Sequence, residues 1–199
     1  NNVALPQALK EPNLKLFTGR LPRLSMIVLN LGAQDLPFFQ ESDVRRALLM
    51  GLNRNYIANQ IMGGQAIIAH SPIFPESWAY YDGIGQIEYD PDGALALLKK
   101  AGYTIPAEGG NVRAKDGVRL SFSLVYPGSE PYETMAAWVK QEWAKLGVQV
   151  DLRAVSYDEL LDQYLQPRSF QAALIEVNTA RTPDPDPYPF WHQAQITNG

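Results

Sequence analysis

The chain has 199 residues, 46% hydrophobic and 19% charged, with 17 Lys+Arg against 21 Asp+Glu and a net charge of -4. That mixture excludes a disordered chain, and a polypeptide of this length buries roughly 70% of its unfolded surface without a metal or disulfide staple. Its basic residues form no stripe for a phosphate backbone, so nucleic acid is not an expected partner, and zero cysteines remove thiolate nucleophiles and Cys-ligated zinc.

Residues 1–22 carry three prolines and little periodicity, and read as a lead-in. Asn1 to Lys10 lack the regions of a signal peptide and no initiating Met is present, which fits a fragment or a processed product. From Leu24 to Leu31 the run LSMIVLNL suits a buried strand ended by Gly32, and it is far shorter than the roughly 20 residues of a membrane span.

A helical pair follows. Ser42 or Asp43 is expected to cap a helix to about Met50, with Val44, Ala47 and Leu48 on one side; Asn53 then caps Arg54 to Met62, stopped by Gly63-Gly64. Residues 65–89 are rich in Pro, Gly and aromatics without a sustained period. Trp78, Tyr80 and Tyr81 there fit a hydrophobic clamp that holds the loop down, with a ligand-stacking platform as the alternative. Asp90 as cap, Pro91 at the first helical position, the run ALALLKKAG and the stop at Gly102 predict a further helix.

The second half alternates strand and helix. Leu120, Phe122, Leu124 and Tyr126 predict a strand with one buried face, and Tyr132, Met135, Ala136, Val139, Trp143 and Leu146 share a helical face ended by Gly147. Val148, Val150 and Leu152 form another strand. Ser156 with Glu159 makes a capping box for a helix through about Tyr164, and Phe170 to Val177 is a third strand. Strand-helix-strand-helix-strand predicts parallel pairing with right-handed crossovers, and the class is α/β.

Catalytic signatures are missing. His70 and His192 have no partner at metal-ligand spacing, no serine sits in a G-x-S-x-G elbow, and Gly83-Ile84-Gly85 lacks both the third glycine and the preceding strand of a dinucleotide site. Asp184 and Asp186 are the one close carboxylate pair. The acid-base reading competes with a structural one, in which Asp186-Pro187 caps a helix and Asp184-Pro185 is a rigid turn. That proline-rich loop leaves the carboxyl end of the third strand, where α/β sheets place ligands. Asn178, Arg181, Asp184, Tyr188, Trp191 and His192 are therefore the candidate ligand-binding residues, with no cofactor, no metal and no enzymatic activity expected.

Several blocks in chain order carry a resemblance. They are Asp43-Val44-Arg45-Arg46-Ala47-Leu48 with Asn53-Arg54, Tyr89-Asp90-Pro91 with Leu97-Leu98 and Ala101-Gly102-Tyr103, Asp116-Gly117, Leu146-Gly147-Val148, and Asp184-Pro185-Asp186. Over roughly residues 24–195 the chain resembles the extracellular solute-binding proteins of family 5, the oligopeptide, dipeptide and nickel binders of ABC importers. The resemblance implies a type II periplasmic-binding-protein-like lobe with a mainly parallel sheet: residues 1–22 as an inter-lobe segment, 23–199 as the second lobe, the first lobe absent. It implies an extracytoplasmic location, a peptide or small-molecule solute, an ABC permease as partner, and membrane association only through a lipid anchor outside this segment. Peptide-binding members often carry an aspartate for the peptide amino terminus where Arg181 stands here, which points to a peptide-like or anionic solute. The alternatives are the ligand-sensing domain of a transcription regulator with the same fold, and a hydrolase using Asp184 and Asp186.

Overall fold

The computed structural model describes residues 5–15, 17, 19, 21–75, 77–178, 186 and 188. Four strands form the main sheet: β1 (Arg23–Leu29), β4 (Ser121–Pro127), β5 (Gln149–Val155) and β6 (Ala172–Asn178), in the order β1-β6-β4-β5. β4 runs parallel to both β5 and β6, as strands joined through helices must, whereas β1 closes the edge antiparallel to β6. A hairpin of β2 (Ala114–Lys115) and β3 (Val118–Arg119) lies outside the main sheet; its two-residue loop, Asp116-Gly117, takes positive φ at both positions, the twist-matched geometry that Asp-Gly favours.

The helices are α1 (Leu5–Ala8), α2 (Ser42–Met50), α3 (Arg54–Tyr56), α4 (Pro91–Lys100), α5 (Tyr132–Lys145) and α6 (Tyr157–Glu159). α3 and α6 each continue as one π-helical stretch, Ile57–Ile61 and Leu160–Leu165. Most expected caps are present: Asn53 Oδ1 accepts from the Tyr56 N–H at 3.0 Å, Asp90 Oδ1 from Gly93 at 2.8 Å and Ser156 Oγ from Glu159 at 3.2 Å. Gly147 ends α5 at φ 78, and a Cβ there would meet Arg113 Cγ at 2.8 Å, so glycine is required twice over.

α2 departs from expectation. Its cap is Glu41 rather than Ser42 or Asp43, and the Glu41 side chain makes no cap bond. Glu41 instead accepts from the Tyr103 hydroxyl at 2.7 Å and from Lys115 Nζ at 3.0 Å, tying the helix to the hairpin.

The principal core lies on one face of the sheet. Phe122, Leu124, Val150 and Leu174 project from the strands against Met135, Ala136, Val139 and Trp143 of α5, with Val44, Ala47, Leu48, Ala94 and Leu98 from α2 and α4. Phe38 and Phe39, on a short 3-10 turn (Pro37–Gln40), reach its centre; Phe39 meets Phe122 edge-on at 4.9 Å. Trp143 closes the layer by donating its indole N–H to Leu48 O at 2.8 Å. Burial on β4 is not one-sided. Val125 packs on the other face with Leu160 and Ala173, because the π-helical turn lies over it. β1 is half-buried rather than buried, as its edge position dictates.

Among its described residues the loop at 65–89 carries no helix or strand. Trp78 is 83% exposed and Tyr81 69%, so these two rings do not clamp it. It is fastened through its backbone: Arg54 donates to Ala69 O at 3.2 Å and to Ile87 O at 2.5 Å. Burial pulls the Arg54 guanidinium below its ordinary pKa, against the opposing pull of Glu88. At the loop's end Tyr89 donates to Glu142 at 3.0 Å, a carboxylate 1% exposed that also pairs with Lys145.

Candidate functional site

β4, β5 and β6 run parallel, so their carboxyl ends share one edge of the sheet. β4 leaves through Gly128-Ser129 into the first turn of α5, and the Gly128 N–H donates to Val155 O at 2.7 Å, which brings the ends of β4 and β5 together. β5 leaves through the Ser156 cap into α6, and β6 ends at Asn178. β1 begins at this edge, because it is antiparallel, and its Arg23 stands opposite Asn178.

Four polar side chains gather there from four elements. Arg23 of β1 pairs with Glu176 of β6 at 3.5 Å, with the arginine side chain 50% and the glutamate 26% exposed. The Tyr132 phenol, at the start of α5, faces the same carboxylate; burial first and Glu176 second raise its pKa, Arg23 opposes, and Tyr157 of α6 adds to the rise. Tyr157 itself is exposed. Along β6 the helix-covered face thus passes from Leu174 in the core, through Glu176, to solvent at Asn178. Such a mixed rim of one carboxylate, one guanidinium and two phenols suits reversible binding through hydrogen bonds and charge.

Of the six residues expected from sequence, the structure describes two. Asn178 is at this edge, and Tyr188 is exposed, its backbone N–H donating to Asp186 Oδ1 at 2.9 Å. Asp186 therefore acts as a local cap, the structural of its two readings. Arg181, Asp184, Trp191 and His192 lie outside the described residues. Arg23, Tyr157 and Glu176 were not picked out from sequence, and Tyr132 was only as part of the helical face of α5. Their signal was only that each lies at or next to the end of a predicted element, and which ends meet depends on strand order.

A cleft of about 530 Å³ lies elsewhere, beside the start of β6, with Asn30, Ser123, Arg153, Tyr164, Arg168 and Gln171 in its wall. Its amides are spent internally. Gln171 accepts from the Ser123 N–H at 2.7 Å and donates to Asp35 at 3.2 Å, while Asn30 donates to Phe170 O at 2.8 Å and accepts from the Gly32 N–H. Among the described residues no cluster of three His, Asp or Glu could hold a metal, and no helix is long and apolar enough to cross a membrane.

Known proteins of the same kind exist. The chain is 29% identical over 164 residues to the oligopeptide-binding protein AppA of Bacillus subtilis, covering 81% of this chain and 30% of that protein. It is 29% identical over 148 residues to the dipeptide-binding protein of Escherichia coli, covering 71% and 25% respectively. The solved structure of AppA in complex with a nonapeptide superimposes with a TM-score of 0.84 over 98% of this chain and 38% of that one. NikZ of Campylobacter jejuni, in complex with Ni(L-His), shares the fold at a TM-score of 0.79 and 21% identity, again over 98% and 38%. This chain therefore spans about a third of the length of such relatives, and none of these three proteins is a transcription regulator. Residues 2–198 match the bacterial extracellular solute-binding proteins, family 5 Middle, and the chain belongs to that family.

Proposed function

We propose that this chain is the second lobe of a two-lobe extracytoplasmic receptor that captures a peptide or peptide-like solute and delivers it to an ABC permease. Residues 1–22 serve as the inter-lobe segment and 23–199 as the lobe; Asn178, Arg181, Asp184, Tyr188, Trp191 and His192 face the solute, with Arg181 favouring a carboxylate on it. The supporting observation is the superposition with peptide-bound AppA across nearly the whole chain but a minority of AppA. Binding alone supplies the mechanism, with no covalent step. One lobe holds the solute loosely, and closure of a second lobe desolvates it and creates the shape a permease reads.

Calorimetry with the complete polypeptide tests this. Di- to nonapeptides are expected to bind at micromolar Kd or tighter, and the isolated 199-residue chain about a hundredfold more weakly or not at all. Equal affinity of the isolated chain, or indifference of the complete protein to every peptide, refutes the proposal.

A further inference from the structure

We infer that the cleft beside the start of β6 is a second binding site, separate from the carboxyl edge of the sheet, for a small organic anion that joins an apolar group to a carboxylate or phosphate. The inference goes beyond the transport reading and does not rest on it.

The cleft arises where the sheet face turned away from α5 is left open. Among the described residues that face is covered by the π-helical stretch Leu160–Leu165 and the turn after it, and Val125 of β4 and Arg153 of β5 share it because they pair in register. Val125, 2% exposed, is the floor. The Tyr164 and Phe170 rings, packed on the same small core, give the cleft an apolar side. From Ala172, beside the cleft, β6 runs ~20 Å at ~3.3 Å per residue before it reaches the carboxyl edge at Asn178.

The polar wall is fixed before any ligand arrives. Asn30 donates to the Arg168 and Phe170 carbonyls at 3.1 and 2.8 Å, and the Ser169 N–H donates to Tyr164 O at 2.9 Å. These bonds hold Arg168 at φ 55, a left-handed backbone that an arginine adopts against a steric cost. Gln171 is committed to Ser123 and Asp35. Arg153 is not committed: among the described residues no carboxylate pairs with its exposed guanidinium and no acceptor takes its N–H groups. The Tyr164 hydroxyl is likewise unbonded among them.

Charge and shape agree on the class of ligand. Arg153 and Arg168 place two guanidiniums in the wall against one carboxylate, Asp35, and Asp151 on the same face stays outside the wall, accepting from Gln149 at 3.4 Å. The cleft is therefore net cationic. A guanidinium presents paired N–H donors that match a carboxylate or phosphate, the phenol adds a further donor, and the Val125 and Phe170 side suits an apolar body. A volume of about 530 Å³ is the size of a small-molecule cleft.

The test is calorimetry at low salt on the complete polypeptide, with phenyl phosphate, benzoate, inorganic phosphate and phenol as probes. Phenyl phosphate and benzoate are expected to bind with a Kd of about 1 mM or tighter, and phosphate or phenol alone about fivefold more weakly or not at all, since each keeps only half of the recognition. An excess of a di- to nonapeptide should leave the phenyl phosphate affinity within about twofold, because the two sites lie at different ends of β6. Arg153→Gln is expected to weaken phenyl phosphate about tenfold, the scale of one charged hydrogen bond, and Tyr164→Phe by a smaller factor. Arg46→Gln, an exposed arginine of α2 outside the cleft, should change nothing, and unaltered melting temperatures report that the variants are folded. Displacement of phenyl phosphate by the peptide, equal effects of Arg153→Gln and Arg46→Gln, or failure of the unsubstituted protein to bind either organic anion overturns the inference and leaves the transport reading standing.

Discussion

The two faces of the sheet are built to different depths. One buries Phe122, Leu124, Val150 and Leu174 beneath α2, α4 and α5, and is filled to the centre by Phe38, Phe39 and Trp143. The other holds Val125 and Ala173 beneath Leu160 and a single π-helical turn. On that thinner side Met26 pairs with Ile175 and Val28 with the buried Ala173, an apolar stripe in which Met26, Val28 and Ile175 remain half-buried. The helix-covered face therefore carries the stability of the fold. The thin face adds local rigidity around β4 and β6.

The sharpest way to break this contrast is to remove Trp143. Trp143→Ala deletes a side chain 3% exposed together with the bond to Leu48 O, and is expected to cost about 3–5 kcal/mol, enough to unfold a marginal domain. Urea denaturation checks it. A loss below about 1 kcal/mol would mean that the deep core is not the cooperative unit. Leu160→Ala on the thin face should cost less, about 2–3 kcal/mol, because the π-helical turn can settle onto Val125 and Ala173. Its loss should appear chiefly as faster hydrogen exchange in Leu160–Leu165, with α5 unaffected. If exchange rises equally in α5, the two faces are one unit and the contrast fails.

Chain order made the deep face readable and the edge unreadable. β4, α4 and α5 declare themselves through local pattern: Leu120, Phe122 and Leu124 at period two, Asp90-Pro91 before an apolar run, Met135 to Trp143 at helical spacing. What escaped depends on partners far away in sequence. Glu41 caps α2 because its side chain is drawn to Tyr103 and Lys115, 62 and 74 residues onward. Phe38 and Phe39 lie in no periodic run, so nothing local marks them as core. The same reason hid the rim: Arg23, Tyr132, Tyr157 and Glu176 sit in four separate elements that only the order β1-β6-β4-β5 brings together. Asn178 was legible because its place follows from one strand's end alone.

A pH titration sharpens the account of how α2 is tied to the hairpin. Burial first, then the hydrogen bond and charge of Glu41, push the Tyr103 phenol well above its ordinary range. The unfolded chain ionises this group near pH 10, and the folded chain does so only at higher pH. Below pH 10 the stabilisation is complete, and it is lost as pH rises from there toward the folded value. Tyr89, Tyr126 and Tyr132 are shifted the same way and add to the slope. Denaturation midpoints should thus be flat from pH 7 to about 9 and fall above 10, with a shallower fall in Tyr103→Phe. An unchanged slope in that variant would show that the Glu41 contact does not hold the proton.

The smallest effect concerns the loop at 65–89, and it separates backbone fastening from side-chain clamping. Trp78 stands 83% exposed, whereas Arg54 reaches the carbonyls of Ala69 and Ile87 from beneath the loop. Trp78→Ala is therefore expected to change the stability of this chain by no more than about 0.5 kcal/mol, as other surface substitutions do. Arg54→Leu, by contrast, removes both carbonyl bonds and should speed hydrogen exchange in the loop while the core of α5 keeps its protection. A fall of several degrees in Tm for Trp78→Ala would show that the ring packs down in solution and that the clamp expected from sequence is real. A null result leaves a large apolar ring in water on a loop whose ends are fixed, and a ring so placed is free to meet another surface.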